Sequence, residues 1–185
     1  LVTGLNFTFD QYQEFVNSKD YSRIDNSVGA FFEYAFDNTS NFSLTAGWRM
    51  DNHNRLGFFI TPRLHVRYNP WKKGVLRASV GRGKRSANIF AENQALFASS
   101  RAFTIQDVNG KIYGLNPEIA WNYGLSFNQK FQLFGRNGDA GFDLYRTDFQ
   151  NQAVVDVMQS PQQVLFYNLK GKSYATSLQI EFNYE

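Results

Sequence analysis

Histidine is the side chain whose charge changes near neutral pH, and the chain has two, His53 and His65. His65 stands between Arg63 and Arg67 at two-residue spacing. In an extended chain the three groups therefore share one face. Flanking cations discourage both protonation of the imidazole and capture of a metal ion, so His65 reads as a neutral wall residue and not as a base or ligand. His53 falls in the Asn-flanked link Asn52-His53-Asn54 and reads as a solvated turn residue. Gly81-Arg82-Gly83 lacks the strand, turn and helix context of a phosphate cradle. No Ser, His and Asp grouping and no acidic pair at a recognisable spacing emerges. With no Cys, disulfides and thiolate metal sites are excluded together. The expectation is a protein that is not an enzyme, with no cofactor and no metal site.

The elements that carry these residues are more informative. From Arg55 to Tyr68 apolar and polar residues alternate without a slip: Leu56, Phe58, Ile60, Pro62, Leu64, Val66 and Tyr68 on one face, Gly57, Phe59, Thr61, Arg63, His65 and Arg67 on the other. Strands of globular proteins cluster near about 5 to 6 residues, whereas a tilted membrane-spanning strand needs roughly 9 to 11. The pattern predicts an outer-membrane barrel wall with lipid against its apolar side. Aromatic residues make up 17% of the 185 residues, which favours an all-β class. No run of about 18 apolar residues exists to form a transmembrane helix, but barrel strands average out to ordinary hydropathy. The net charge of +3, with no Lys/Arg stripe, argues against a nucleic-acid partner. The opening Leu1-Val2-Thr3-Gly4 lacks a charged n-region and an h-region, so a removed signal or an internal piece is expected.

Alternation predicts further strands over about 2–12, 28–36, 42–51, 76–81 and 119–128, another from Phe142, and a last one over 178–184. A phase change near Tyr145 predicts a β-bulge there. Residues 13–26, about 82–116 and about 150–168 read as irregular. The first, fifth and seventh links are long, and the second, fourth and sixth are short turns. Long loops at one end and short turns at the other are the pattern of membrane barrels. The fold expected is all-β, an antiparallel up-and-down meander of about eight strands. If the apolar faces meet lipid, Glu33, Arg49, Asp51, Arg63, His65, Arg67, Arg77, Asn122, Gln179 and Glu181 line the interior. So many charges are hosted at lower desolvation cost in a wide barrel than in a small filled one. Trp48, Trp121, Tyr68, Tyr123 and Tyr184 suit interfacial girdles. The alternative is a soluble β-sandwich or adhesin-like binding module, whose two greasy sheet faces would cover each other.

Particular words sharpen this reading. Phe59-Ile60-Thr61-Pro62-Arg63-Leu64, the run from Leu76 through Gly81-Arg82-Gly83-Lys84-Arg85 to Asn88, and Leu115-Asn116-Pro117-Glu118 leading into Trp121-Asn122-Tyr123-Gly124 resemble the barrel region of TonB-dependent outer-membrane receptors. Asn168-Leu169, Tyr174 and the final alternating strand resemble a later element of the same barrel. The resemblance spans roughly residues 27 to 185. It implies that 1–185 is one segment of a larger barrel, of about 22 strands with a plugged lumen, in the bacterial outer membrane. Such receptors import a scarce ligand (siderophore, cobalamin, glycan or similar), with a plug domain and TonB as partners of the full-length parent. The resemblance also makes the stretch 84–116 an external loop. There Arg85, Asn88, Glu92, Asn93, Gln94 and Arg101 would contact a small-molecule or oligomeric ligand beside Phe90, Phe97 and Phe103. No region resembles the plug or the energy-coupling box, so transport by this segment alone is not expected. Its unpaired strand edges recruit other chains, so the isolated segment is expected to curl into a non-native closure, pair edges with another copy or stay an open curved sheet.

Overall fold

A computed structural model describes residues 1–106 and 109–185. In chain order the strands are β1 Val2–Tyr12, β2 Phe15–Val16, β3 Lys19–Asp20, β4 Arg23–Asp37, β5 Phe42–His53, β6 Gly57–Trp71, β7 Gly74–Arg85, β8 Ala102–Ile105, β9 Glu118–Leu133, β10 Arg136–Asn151, β11 Ala153–Asp156, β12 Gln163–Asn168 and β13 Ser173–Tyr184. Eight of them form one sheet in the order β1-β4-β5-β6-β7-β9-β10-β13. Every neighbouring pair is antiparallel. These wall strands run from 11 to 16 residues, long enough to span a bilayer core. The sheet is an up-and-down meander with β1 and β13 as its edges.

The register separates the two faces cleanly. Ala78, Leu125, Leu144 and Leu178 stand side by side across β7, β9, β10 and β13, and Leu76, Phe127, Phe142 and Ile180 form the row below. Among the described residues no second layer covers this face: Leu5 is 85% exposed, Phe58 63% and Ile180 75%. A soluble sandwich would have enclosed those side chains, so the sandwich alternative fails on packing. Charged substitutions on the lipid face of a barrel cost about 2 to 4 kcal/mol at mid-depth. Leu144→Arg should lower the unfolding free energy of the protein folded in lipid vesicles by that amount. Gln179→Arg, on the opposite face beside Asp143, should cost far less; equal losses would refute the assignment of faces.

The links 38–41, 72–73 and 134–135 are short and lie at one end, and 13–22, 54–56, 86–117 and 152–172 lie at the other. Local chemistry sets the short turns. Asn38 Oδ1 accepts the N–H groups of Ser40, Asn41 and Phe42 at 3.0, 3.0 and 2.9 Å. At the Phe134-Gly135 turn both residues have positive φ, 50° and 80°, the type I′ geometry whose twist matches paired strands.

Three sequence expectations require correction. The stretch 13–26 is not all loop: β4 starts at Arg23, and β2 and β3 pair as a small hairpin. The register of β10 runs unbroken through Tyr145, and its irregularity falls between Phe149 and Asn151. Tyr145 interrupts the hydrophobic pattern because its ring lies over Gly124, 2.9 Å from where a side chain there would begin. An aromatic residue on the polar face is thus accommodated without a bulge. Finally, the two irregular stretches are ordered against each other. β8 pairs parallel with β12, which pairs antiparallel with β11, and a 3-10 helical segment spans Ala91–Ala98.

Candidate functional site

The long links converge into a packed roof at one end of the wall. Its core is Val16, Ala87, Ile89, Phe90, Leu115, Val164 and Phe166. The most enclosed side chains of the described residues, Phe166, Ile89 and Val164, all sit here and not in the wall. β12 supplies Val164 and Phe166 by ordinary strand alternation, and Phe90 carries the aromatic contacts. Its ring centroid lies 5.0 Å from Tyr21, 5.2 Å from Tyr113 and 5.8 Å from Phe166. Tilted and edge-on ring pairs at such spacings add to area burial.

A polar hub ties this roof to the wall. The Arg23 side chain is 4% exposed. It donates to Glu14 Oε2 at 2.6 Å, Asp25 Oδ2 at 3.0 Å, the Tyr113 hydroxyl at 2.7 Å and Asn88 Oδ1 at 2.6 Å. Its guanidinium lies 3.9 Å over the Tyr12 ring and 4.6 Å from that of Tyr113. Arg55 Nε approaches Asp25 Oδ1 at 3.0 Å, off the hydrogen-bond axis. Two cations thus balance two carboxylates, a condition for tolerating charge away from water. The hub joins the link 13–22, the strand β4, the link 54–56 and the segment 86–117.

Burial, and then the Glu14 carboxylate bonded to its hydroxyl, push the Tyr113 phenol well above its ordinary pKa. A raised pKa means the folded hub holds the neutral phenol more firmly than the unfolded chain does. That contribution is complete below about pH 10, the unperturbed value, and is lost as pH rises towards the folded value. Hydrogen exchange in 109–117 should therefore accelerate above about pH 10 beyond its intrinsic base dependence. Tyr113→Phe should remove the excess; an unchanged excess would refute the role of this phenol.

The residues singled out in the loop have mostly internal partners. Arg85 pairs with Glu92 at 2.9 Å and Glu118 at 2.6 Å. Asn88 accepts from Arg23, Asn93 Nδ2 donates to the Ile89 carbonyl at 2.7 Å, and Arg101 donates to the Val157 carbonyl at 3.0 Å. Gln94 is exposed on the 3-10 segment. Phe90 is buried and Phe103 packs against the core, while Phe97 is 47% exposed. Residues 107 and 108 of the stretch lie outside the described residues.

On the wall, Glu33, Arg49, Arg63, His65, Arg67, Arg77, Gln179 and Glu181 fall on the face opposite the apolar rows. Arg49 pairs with Asp51 at 2.8 Å, and Arg63 pairs with Glu33. His65 stands between Thr45 and Ser79. Glu181 accepts from Asn183 at 3.0 Å. No group of three His, Cys, Asp or Glu able to hold a metal occurs among the described residues.

The hub residues Glu14, Arg23 and Tyr113 were not legible as a site from sequence. Extending the alternation of β4 backwards from Val28 puts Arg23, Asp25 and Ser27 on the polar face and shows that Arg23 belongs to the wall. Nothing in the sequence marks its distant partners Asn88 and Tyr113, which lie 65 and 90 residues away.

The family model for the TonB-dependent receptor-like β-barrel matches residues 2–185. Among solved structures, the siderophore receptor PirA from Pseudomonas aeruginosa is similar over 96% of this chain and 35% of its own, with a TM-score of 0.69 and 17% identity. The ferric enterobactin receptor PfeA, of the same organism, is similar over 96% of this chain and 30% of its own, with a TM-score of 0.66 and 15% identity. The FpvAI–pyocin S2 complex also matches, with a TM-score of 0.57 and 15% identity over 89% of this chain and 22% of the other. The chain spans about a third of the length of the first two receptors. No curated protein matches it in sequence.

Proposed function

The chain belongs to the TonB-dependent receptor β-barrel family, and from that premise we propose that it forms wall and mouth of an outer-membrane importer. Residues 1–185 are one barrel segment, its apolar face on lipid and its polar face on the lumen, with 84–116 as external loop. The parent binds a scarce ligand outside and imports it through a lumen-filling plug with energy relayed by TonB. A ferric siderophore is the ligand class that the names of the similar receptors support.

The observation that carries this reading is the gathering of the long links at one end of an open meander, where they fold into a roof with its own core. A sheet needing only closure would have no use for such a roof. Within it, Arg85, Asn88, Glu92, Asn93 and Arg101 hold the frame, and Gln94 and Phe97 offer their side chains to the ligand. In the intact barrel β1 and β13 pair with further strands. Isolated, these edges pair with another copy of the segment, because unsatisfied edge groups template such addition.

Cell fractionation and ligand uptake test the proposal together. The full-length receptor should pellet with outer membranes and need detergent for release. Deleting 91–103 should abolish uptake of its ferric siderophore without changing that fractionation. Release into the aqueous phase without detergent would defeat the membrane assignment, and undiminished uptake by the deletion would defeat the binding role of the loop.

A further inference from the structure

One seam of the wall is left open. β6 and β7 pair from Trp71 and Gly74 up to Arg63 and Gly81, where their ladder stops. Both strands run on, β6 paired with β5 as far as Gly57 and β7 paired with β9 as far as Arg85. Among the described residues this is the only neighbouring pair of wall strands in which both partners continue after their pairing has ended. The break starts at Pro62, which has no N–H to give to a ladder.

Two cations lean across the opening. Arg82 Nη1 donates to the Ile60 carbonyl at 3.5 Å, and Lys84 Nζ donates to the Leu56 carbonyl at 3.1 Å, with the Phe59 ring centroid 4.5 Å away. Neither has an ion pair among the described residues. Arg82 Nε is buried without a partner. The one carboxylate along its row is Asp148, beyond Trp121. It stands two strands away, about 10 Å at the usual strand spacing, and Arg146 holds it at 2.8 Å. Gly83, between the cations, leaves open space where a side chain would begin. A concavity of about 380 Å³ lies at the foot of the seam, against Trp48, Thr61, Pro62, Arg82 and Gly83.

We propose that this seam between β6 and β7 binds the phosphate of an outer-leaflet lipid headgroup, held by Arg82 and Lys84. The proposal rests on the receptor reading, which puts lipid against this side of the wall. Alternation along β7 sets Arg82 and Lys84 on the face of Ala78 and Val80, the apolar one. Depth selects the ligand. The paired part of β7, Gly74 through Gly81, is eight residues long, and a tilted strand crosses the hydrocarbon in roughly 9 to 11. The seam therefore opens at the outer boundary of the hydrocarbon, above which unpaired backbone is tolerated. Trp48 and Trp121, the register partners of Pro62 and Arg82, flank its foot, and indole rings favour that level. The anion that a wall meets continuously there is the headgroup phosphate. Arg82 has its Nε free to donate, and an ammonium with one donor spent on Leu56 keeps two more. Charge-assisted bonds from both are the strong kind.

Hydrogen exchange in the full-length receptor, taken from outer membranes into a neutral detergent, tests the site. Dioctanoyl phosphatidic acid should slow exchange at 57–61 and 82–85, and dioctanoylglycerol, with the same chains and no phosphate, should not. Arg82→Gln combined with Lys84→Gln should weaken that effect about tenfold or more, since hydrogen bonds to charged groups are each worth about a factor of ten. Arg146→Gln, on the same face but away from the seam, should leave it unchanged. Equal protection by dioctanoylglycerol would show that the chains alone bind, and equal protection by inorganic phosphate would identify a free anion; either overturns the proposal. So does an unchanged affinity in the double variant. Protection present before any addition supports the site where the double substitution removes it, and overturns it where the protection survives. A receptor that does not fractionate with outer membranes breaks the receptor reading, whereas correct fractionation without phosphate-dependent protection breaks only the seam site.

Discussion

Arg23→Leu is expected to detach the roof from the wall while leaving the strands paired. The substitution keeps an apolar stem and removes a guanidinium that makes four hydrogen bonds, leaving Glu14 and Asp25 in a largely enclosed site with Arg55 as their remaining cation. Breaking a buried ion pair from one side costs about 3 to 5 kcal/mol, mostly because the abandoned charge stays behind. The loss should be local, because the wall is held by backbone ladders that do not involve the hub. Amide exchange should accelerate throughout 86–106 and 109–117, while β5, β6 and β7 stay protected. Arg23→Lys should rescue little, since an ammonium cannot reach Glu14, Asp25, Asn88 and Tyr113 together with a planar fork. Unchanged exchange in the roof would show that its apolar core alone keeps it in place.

Phe166→Ala attacks that core directly. Phe166 is 1% exposed, with the rings of Phe90 and Phe103 at 5.8 and 6.0 Å. Truncating a buried Phe costs about 3 to 5 kcal/mol in lost transfer energy and residual cavity. The small sheet β11-β12-β8 has few other sources of stability, so its strands should become susceptible to limited proteolysis. Phe58→Ala makes the informative comparison: the same atoms are lost from a side chain 63% exposed on the outer face, and proteolysis of the roof should not change. Equal effects of the two truncations would contradict the placement of the core in the roof.

Both predictions concern the part of the molecule that periodicity could not reveal. Alternation identifies a strand whenever one face meets a single environment along its length, and β6, β9 and β13 do so for twelve or more residues. The roof strands are short, β8 and β11 covering only Ala102–Ile105 and Ala153–Asp156. A segment of that length carries too few turns of the pattern to stand out from its neighbours. β8 and β12 also come from different links, so neither is a strand until the other is beside it. The same applies to the loop polar groups. Arg85 and Asn88 carry no local sign that Glu118 and Arg23 will bond them, whereas Glu92 pairs with Arg85 seven residues away.

What the chain encodes by itself is therefore the wall: all-β class, strand length, the apolar face, the order of short and long links and the family words. Each follows from residue types at a spacing of two, a local property that survives whatever the rest of the fold does. Only the tertiary structure decided that the long links fold together, that their core lies outside the sheet, and that Arg23 is the clamp. Those facts depend on contacts between residues far apart in sequence, set by strand register and by the burial of charges that must be balanced in space.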